Sequence, residues 1–164
     1  MTQGGILLLI AALSAQAHHQ AEKQAEKSCL TEALYYEARG EGVRGQEAVA
    51  EVILQRAHTG SHPKSVCDVV HQPYQFSYLT DGSTKHKPDP EVWQATTELA
   101  ARILKGDIVT SMTRKATYYH AVDALPDWAS TMVMTARIGD HVFYRPKPVQ
   151  RLSSSASAKT HSAI

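Results

Sequence analysis

The chain has 164 residues, 43% hydrophobic and 20% charged, with a formal net charge of +1. That balance suits one globular domain with a real core and leaves too little chain for two. Near-neutrality argues against a dedicated nucleic-acid partner, although Arg145, Lys147, Arg151 and Lys159 follow Tyr144 with no acid among them.

Residues 1–17 read as a signal peptide or N-terminal anchor. Ile6 to Ala15 is apolar except for Ser14, and Ala15-Gln16-Ala17 has the small-x-small form of a cleavage site. The run is short for a standard transmembrane helix. No Lys or Arg precedes it, which keeps an uncleaved anchor as the rival. On the export reading the chain works in the periplasm or cell envelope, without a stable membrane partner unless the anchor is retained. Two cysteines, Cys29 and Cys67, would then be paired, the alternative being two buried thiols. Neither has a neighbour at ligand spacing, so no zinc pattern is present.

Residues 18–27 read as a polar lead-in. Ser28 is the expected N-cap of a first helix ending at Ala38, with Leu30, Ala33, Leu34 and Glu37 on one face at the i, i+3, i+4, i+7 spacing. A carboxylate therefore occupies an apolar position. Gly40 stands where a C-cap glycine would stand. Burial and the negative end of the helix dipole both disfavour a charged carboxylate, so both raise the Glu37 pKa toward what a general acid needs. The bland alternative is an ion pair of Glu37 with Arg39 or Arg56. Glu32 falls off the apolar stripe. Glu41 either caps the next segment or lines the same cleft.

Gly40, Gly42 and Gly45 predict a loop, and a second helix follows over about 46–57, with Ala48, Val49, Val52, Ile53 and Arg56 on one side. Ser65 caps a short helix through Val70. His71 to Lys87 is irregular yet rich in aromatic, amide and hydroxyl groups, as functional loops are. Asp89-Pro90 starts a helix that Lys105-Gly106 ends. Thr117 to His120 reads as a strand, Pro126 to Thr135 as a helix, and Ile138 to Tyr144 as a strand. Residues 146–164 read as a basic, Ser/Ala-rich disordered tail. The expected fold is α+β, mostly helical, over 28–145.

Gln75, Phe76, Ser77, Tyr119 and His120 combine stacking faces with amide, hydroxyl and imidazole groups, a mixture that suits sugar rings. Strand alternation puts Tyr118 and His120 on one face and Tyr119 on the other. The nine histidines include no H-E-x-x-H, and Gly60 separates His58 from His62, so no metal is expected. The glycines match no nucleotide fingerprint, and no cofactor is expected.

The run Glu37-Ala38-Arg39-Gly40-Glu41, then Gly45-Gln46, Ala48-Val49-Ala50, Val52 and Gln55-Arg56, resembles the start of the cell-wall hydrolase family named after the spore-cortex-lytic enzyme SleB. The likeness continues through Val66 to Val70, Gln72-Pro73, Gln75-Phe76-Ser77, Ala116 to Ala121, Trp128 and Ile138 to Tyr144. It departs at Gln55, where the family commonly has Asn, and at Tyr74, where some relatives carry a cysteine. The resemblance implies a lysozyme-like fold with short strands beside the cleft, and Glu37 as the catalytic acid. It implies Glu41, Gln75, Phe76, Ser77, Tyr119 and His120 as the residues holding a peptidoglycan glycan strand. It also implies a monomer that cleaves the MurNAc-GlcNAc β-1,4 bond as a lytic transglycosylase or muramidase, in wall remodelling or phage lysis. The Cys29 and Cys67 pair resembles exported Gram-negative and phage members more than spore enzymes. The rival functions are a muramoyl-peptide amidase and a non-catalytic glycan-binding module.

Overall fold

A computed structural model describes residues 3–148, with side chains from residue 10 onward. Four α-helices pack beside a three-stranded antiparallel sheet. The helices are α1 (Gln3–Ala38), α2 (Gly42–His58), α3 (Val66–Val70) and α4 (Pro90–Lys105); the strands are β1 (Tyr118–Ala121), β2 (Val133–Ile138) and β3 (His141–Arg145), in spatial order β1-β3-β2. Short 3-10 turns span Arg39–Glu41, Ser77–Leu79, Ser83–Lys85 and Asp127–Thr131.

The stripe Leu30, Ala33, Leu34 of α1 is fully buried and meets Val49 and Ile53 of α2, Val66, Val69 and Val70 of α3, and Leu99, Ala100 and Ile103 of α4. Each large aliphatic side chain so buried contributes about 1.5–3 kcal/mol. A smaller cluster, Ala48, Val52, Ala116, Ile138 and Phe143, joins the other side of α2 to the sheet, and Tyr119 packs against both clusters. Helix α2 is thus the central element, and a cleft opens beside it. Cys29 and Cys67 form a disulfide with a Cα–Cα separation of 5.2 Å, tying α3 to α1.

Several elements differ from expectation. Helix α1 does not start at Ser28. The Ser28 hydroxyl donates back to the Gln24 carbonyl (3.1 Å) inside a continuous helix. Residues 18–27 are largely solvated, as a polar lead-in would be, but helical, because Ala, Glu, Gln and Lys are strong helix formers and nothing interrupts them. Among the described residues no helix is long and apolar enough to cross a membrane. Gly40 adopts no left-handed conformation; Gly42 does, and α2 begins there instead of after a glycine loop. Ser65 and Asp89 cap their helices as expected, accepting from the Asp68 amide and from the Glu91 and Val92 amides.

Pro126 to Thr135 is not a helix. It holds a 3-10 turn (Asp127–Thr131) followed by β2, and β3 begins at His141, not Ile138. Ile138 pairs with His141 across a two-residue turn, with Gly139 at φ +55°. A glycine at the first turn position is the signature of a tight hairpin; that Gly-Asp pair is the sequence signal that overrides the helical reading. The expected tail is described only at residues 146–148, which have no regular structure, and otherwise lies outside the described residues.

Candidate active site

Glu37 is the penultimate residue of α1. It sits where the buried stripe of that helix reaches the sheet, so its side chain is driven into the boundary between core and solvent. From β1, Tyr119 points to the same place, and its hydroxyl donates to Glu37 Oε2 at 3.0 Å. From α2, Arg56 lies only 4% exposed, its Nε donating to the Thr117 carbonyl (2.7 Å) and its guanidinium 5.7 Å from the Phe76 ring centroid.

These residues line a cleft of about 450 Å³. Its floor and one wall are Glu37, Arg56, Tyr119 and His141. The other wall comes from the irregular segment: Tyr74, Gln75, Phe76, Ser77 and Thr80, with His120 and Ala121 at the sheet edge. Glu37 is the only carboxylate among them. Burial raises its pKa above the ordinary 4.5, opposed by the Tyr119 hydrogen bond; Asp81 nearby raises it further, and Arg56 counteracts. Burial, reinforced by Glu37, pushes the Tyr119 phenol well above its usual range, so it remains a donor. The Arg56 guanidinium is lowered by burial and supported by Tyr119, Tyr118 and Glu37. Burial lowers His141, against the pull of Glu41 and Asp140, which favours a neutral imidazole.

The ion-pair alternative for Glu37 is not realised. The one salt bridge among the described residues is Lys105 with Asp107, and Arg39 lies over the Tyr35 ring, 4.9 Å from its centroid. Arg56 therefore acts on Glu37 through its field and not by contact. Oε2 accepts from Tyr119, and Oε1 has no hydrogen bond among the described residues, which leaves it to carry a transferable proton.

Of the sequence candidates, Glu37, Gln75, Phe76, Ser77, Tyr119 and His120 come together in the cleft. Phe76 is buried and contributes an edge of the core more than an exposed platform. Both nitrogens of His120 are engaged. The Ala121 carbonyl (2.8 Å) can only accept, so Nδ1 carries the proton and Nε2 accepts from the Tyr144 hydroxyl (3.1 Å). The face shared by Tyr118 and His120 packs with Trp128 and Tyr144, away from Glu37, as strand alternation requires.

Glu41 is the exception. Its carboxylate accepts from the Asp140 amide (2.8 Å) and fills the space above Gly139, while its Cβ fills the space beside Gly45, so that an added Cβ at either glycine would collide with the Glu41 side chain. It braces the β2–β3 hairpin instead of lining the cleft. The hairpin carries His141, whose ring meets Tyr119 edge-on at 5.1 Å, so Glu41 supports the site from behind. Sequence reasoning missed His141, Tyr74 and Thr80 as cleft residues. His141 was findable from its period-2 relation to Phe143; the other two depend on loop path.

Asp123 and Asp127 are exposed and lie outside the cleft lining. Asp81, at the rim, is held charged by hydrogen bonds from Ser83, its amide donating at 2.7 Å. A separate hollow of about 390 Å³ beside α2 holds Glu47 and Glu51, but Glu51 is engaged by Thr110 and the Thr113 amide. Among the described residues no group of three His, Cys, Asp or Glu is placed to hold a metal ion.

Helices around a cleft carboxylate, with a small sheet beside it, define a lysozyme-like α+β domain. The cell wall hydrolase family model matches residues 40–144, and the chain belongs to that family, in its SleB-type branch. It is 35% identical over 115 residues to the spore cortex-lytic enzyme of Halalkalibacterium halodurans, covering 70% of this chain and 33% of that protein. The spore cortex-lytic enzyme of Bacillus subtilis is 33% identical over 115 residues, at 70% and 35% coverage. The chain thus spans about a third of the length of these curated relatives. Among solved structures, the catalytic domain of Bacillus cereus SleB superposes with a TM-score of 0.59 at 32% identity, covering 74% of this chain and 91% of that one. The catalytic domain of the germination-specific lytic transglycosylase SleB from Bacillus anthracis gives 0.60 at 32% identity, covering 74% and 95%.

Proposed function

We propose that this protein cleaves the β-1,4 bond between N-acetylmuramic acid and N-acetylglucosamine in peptidoglycan, as a lytic transglycosylase. One observation carries the choice of route: Glu37 is the only carboxylate lining the cleft, and its environment favours the protonated form. Glu37 gives its proton to the glycosidic oxygen as the bond to the anomeric carbon breaks and an oxocarbenium-like state develops. The carboxylate left behind is stabilised by the Tyr119 hydroxyl and the Arg56 field. It then takes the proton of the C6 hydroxyl, whose oxygen closes on the anomeric carbon to form a 1,6-anhydro sugar. The acid is regenerated, and no water is consumed. Gln75 and Ser77 orient the strand, His120 shapes the sheet edge of the cleft through its contacts with Ala121 and Tyr144, and the enzyme acts as a monomer.

Hydrolysis would instead require a second carboxylate to activate water or trap the sugar. Asp81 is the rim residue whose charge reaches Glu37, and it is the residue a muramidase reading would use. The apolar N-terminal run supports an exported enzyme, acting in the periplasm or cell envelope on the host's own wall or in phage lysis.

Mass spectrometry of fragments released from purified peptidoglycan tests the reading. Muropeptides with 1,6-anhydro ends, lighter by one water, are expected. Reducing ends would transfer the case to Asp81, and free stem peptides would overturn glycosidic cleavage altogether. Glu37→Gln should abolish release while the fold persists.

A further inference from the structure

We propose that Tyr74 is a stacking platform at the mouth of the cleft, its ring taking the face of a pyranose in the bound glycan strand. The proposal rests on the glycan-cleaving reading above.

Gln72-Pro73-Tyr74-Gln75 closes as a tight turn, the Gln75 amide donating to the Gln72 carbonyl at 3.3 Å. Proline at the second position and a left-handed third residue are the type II pattern, in which the third place belongs to glycine. Here it holds tyrosine, at φ +63°. A Cβ in that conformation is disfavoured, and glycine would close the same turn without strain.

Packing does not offset the strain, because Tyr74 is 98% exposed. Nor is the turn loosely tethered. On one side the Gln72 amide oxygen lies 3.2 Å from His62 Nδ1, and on the other Phe76 is buried in the core. A bulky aromatic is therefore held out in solvent, on a fixed mount, in a conformation the backbone resists. Strained residues of this kind cluster where function requires them.

Tyr74 lines the same cleft as Glu37, beside the Gln75 amide and the Ser77 and Thr80 hydroxyls. An aromatic face suits the CH side of a pyranose, and the amide and hydroxyls suit its OH groups. A flat ring with no packing role and polar neighbours fits a sugar better than an apolar ligand, which would leave those neighbours unpaired.

The test compares wild type with Tyr74→Gly, Tyr74→Ala and Tyr74→Trp on soluble, peptide-free glycan strands. An aromatic contact of about one factor of ten in affinity is expected. Tyr74→Gly and Tyr74→Ala should raise KM about tenfold and Tyr74→Trp should stay near wild type. The thermal midpoint of Tyr74→Gly should equal or exceed that of wild type. Wild-type KM in both small variants, or a midpoint several degrees lower in Tyr74→Gly, would overturn the proposal. Should wild type release no glycan fragments, the cleavage reading fails separately. Calorimetric binding of the same strands to Glu37→Gln, with and without Tyr74→Gly, then decides for Tyr74: a tenfold weaker Kd supports it and an unchanged Kd overturns it.

Discussion

Removing the disulfide by Cys29→Ser with Cys67→Ser should cost about 4 kcal/mol in the chain-entropy model for a closed loop of this size. The bridge joins positions 38 apart, and the loop contains Glu37, the turn after α1 and all of α2. Its second anchor, α3, is five residues long, too short to be stable alone. Without the bridge, α3 is held to α1 by the burial of Val66, Val69 and Val70 and by the Val66 amide donating to Glu26 Oε1 (3.2 Å). Urea denaturation followed by circular dichroism measures the loss. With a slope of about 2 kcal/mol per molar, the midpoint should fall by about 2 M. Glu37 lies eight residues along α1 from Cys29, about 12 Å at the helical rise, so turnover by the folded fraction should remain close to wild type. A loss below about 1 kcal/mol would refute the loop-closure reasoning and mean that the reduced chain already holds α3 against α1 when unfolded. Reduction of wild type by dithiothreitol should reproduce the double variant.

Glu37→Gln should stabilise the protein at neutral pH while removing activity. The folded-state pKa of Glu37 is raised above its ordinary 4.5, so the native state binds more protons than the unfolded state over that interval, and stability falls as pH rises through it. Glutamine has no such penalty. The gain in thermal midpoint over wild type should be near zero at about pH 4 and grow as pH rises above 4.5; calorimetry across pH 4 to 8 would show a gain that shrinks with pH if the sign were wrong. Tyr119→Phe keeps the ring that packs on His141 and Phe143 but removes the donor at Glu37 Oε2. Because that bond favours the charged carboxylate, the alkaline limb of kcat/KM should move to higher pH and kcat should fall. A limb that stays in place or moves lower would show that Glu37 is not the titrating acid.

The sequence alone singled out Glu37, the carboxylate that lines the cleft. Glu37 was legible because a charged residue stood in an apolar register of a helix, and helical periodicity depends only on local spacing. The caps at Ser65 and Asp89 and the alternation of Tyr118, Tyr119 and His120 were readable for the same reason: each is satisfied within a few residues of chain. Arg56 was visible as a second charge on an apolar face, but its action on Glu37 through the field, without an ion pair, depends on the distance between α1 and α2. Only the tertiary structure turned Val133 to Thr135 from the end of an apparent helix into the start of a strand, because β3 offers β2 hydrogen-bond partners across the Gly139 turn. Only the tertiary structure moved Glu41 behind the hairpin, since nothing local says that Gly139 and the Asp140 amide meet its carboxylate. Tyr74 lies between these cases. Its turn is local, but the cleft it overlooks is assembled from α1, α2 and β1, and proximity between distant segments is set by which apolar faces bury one another.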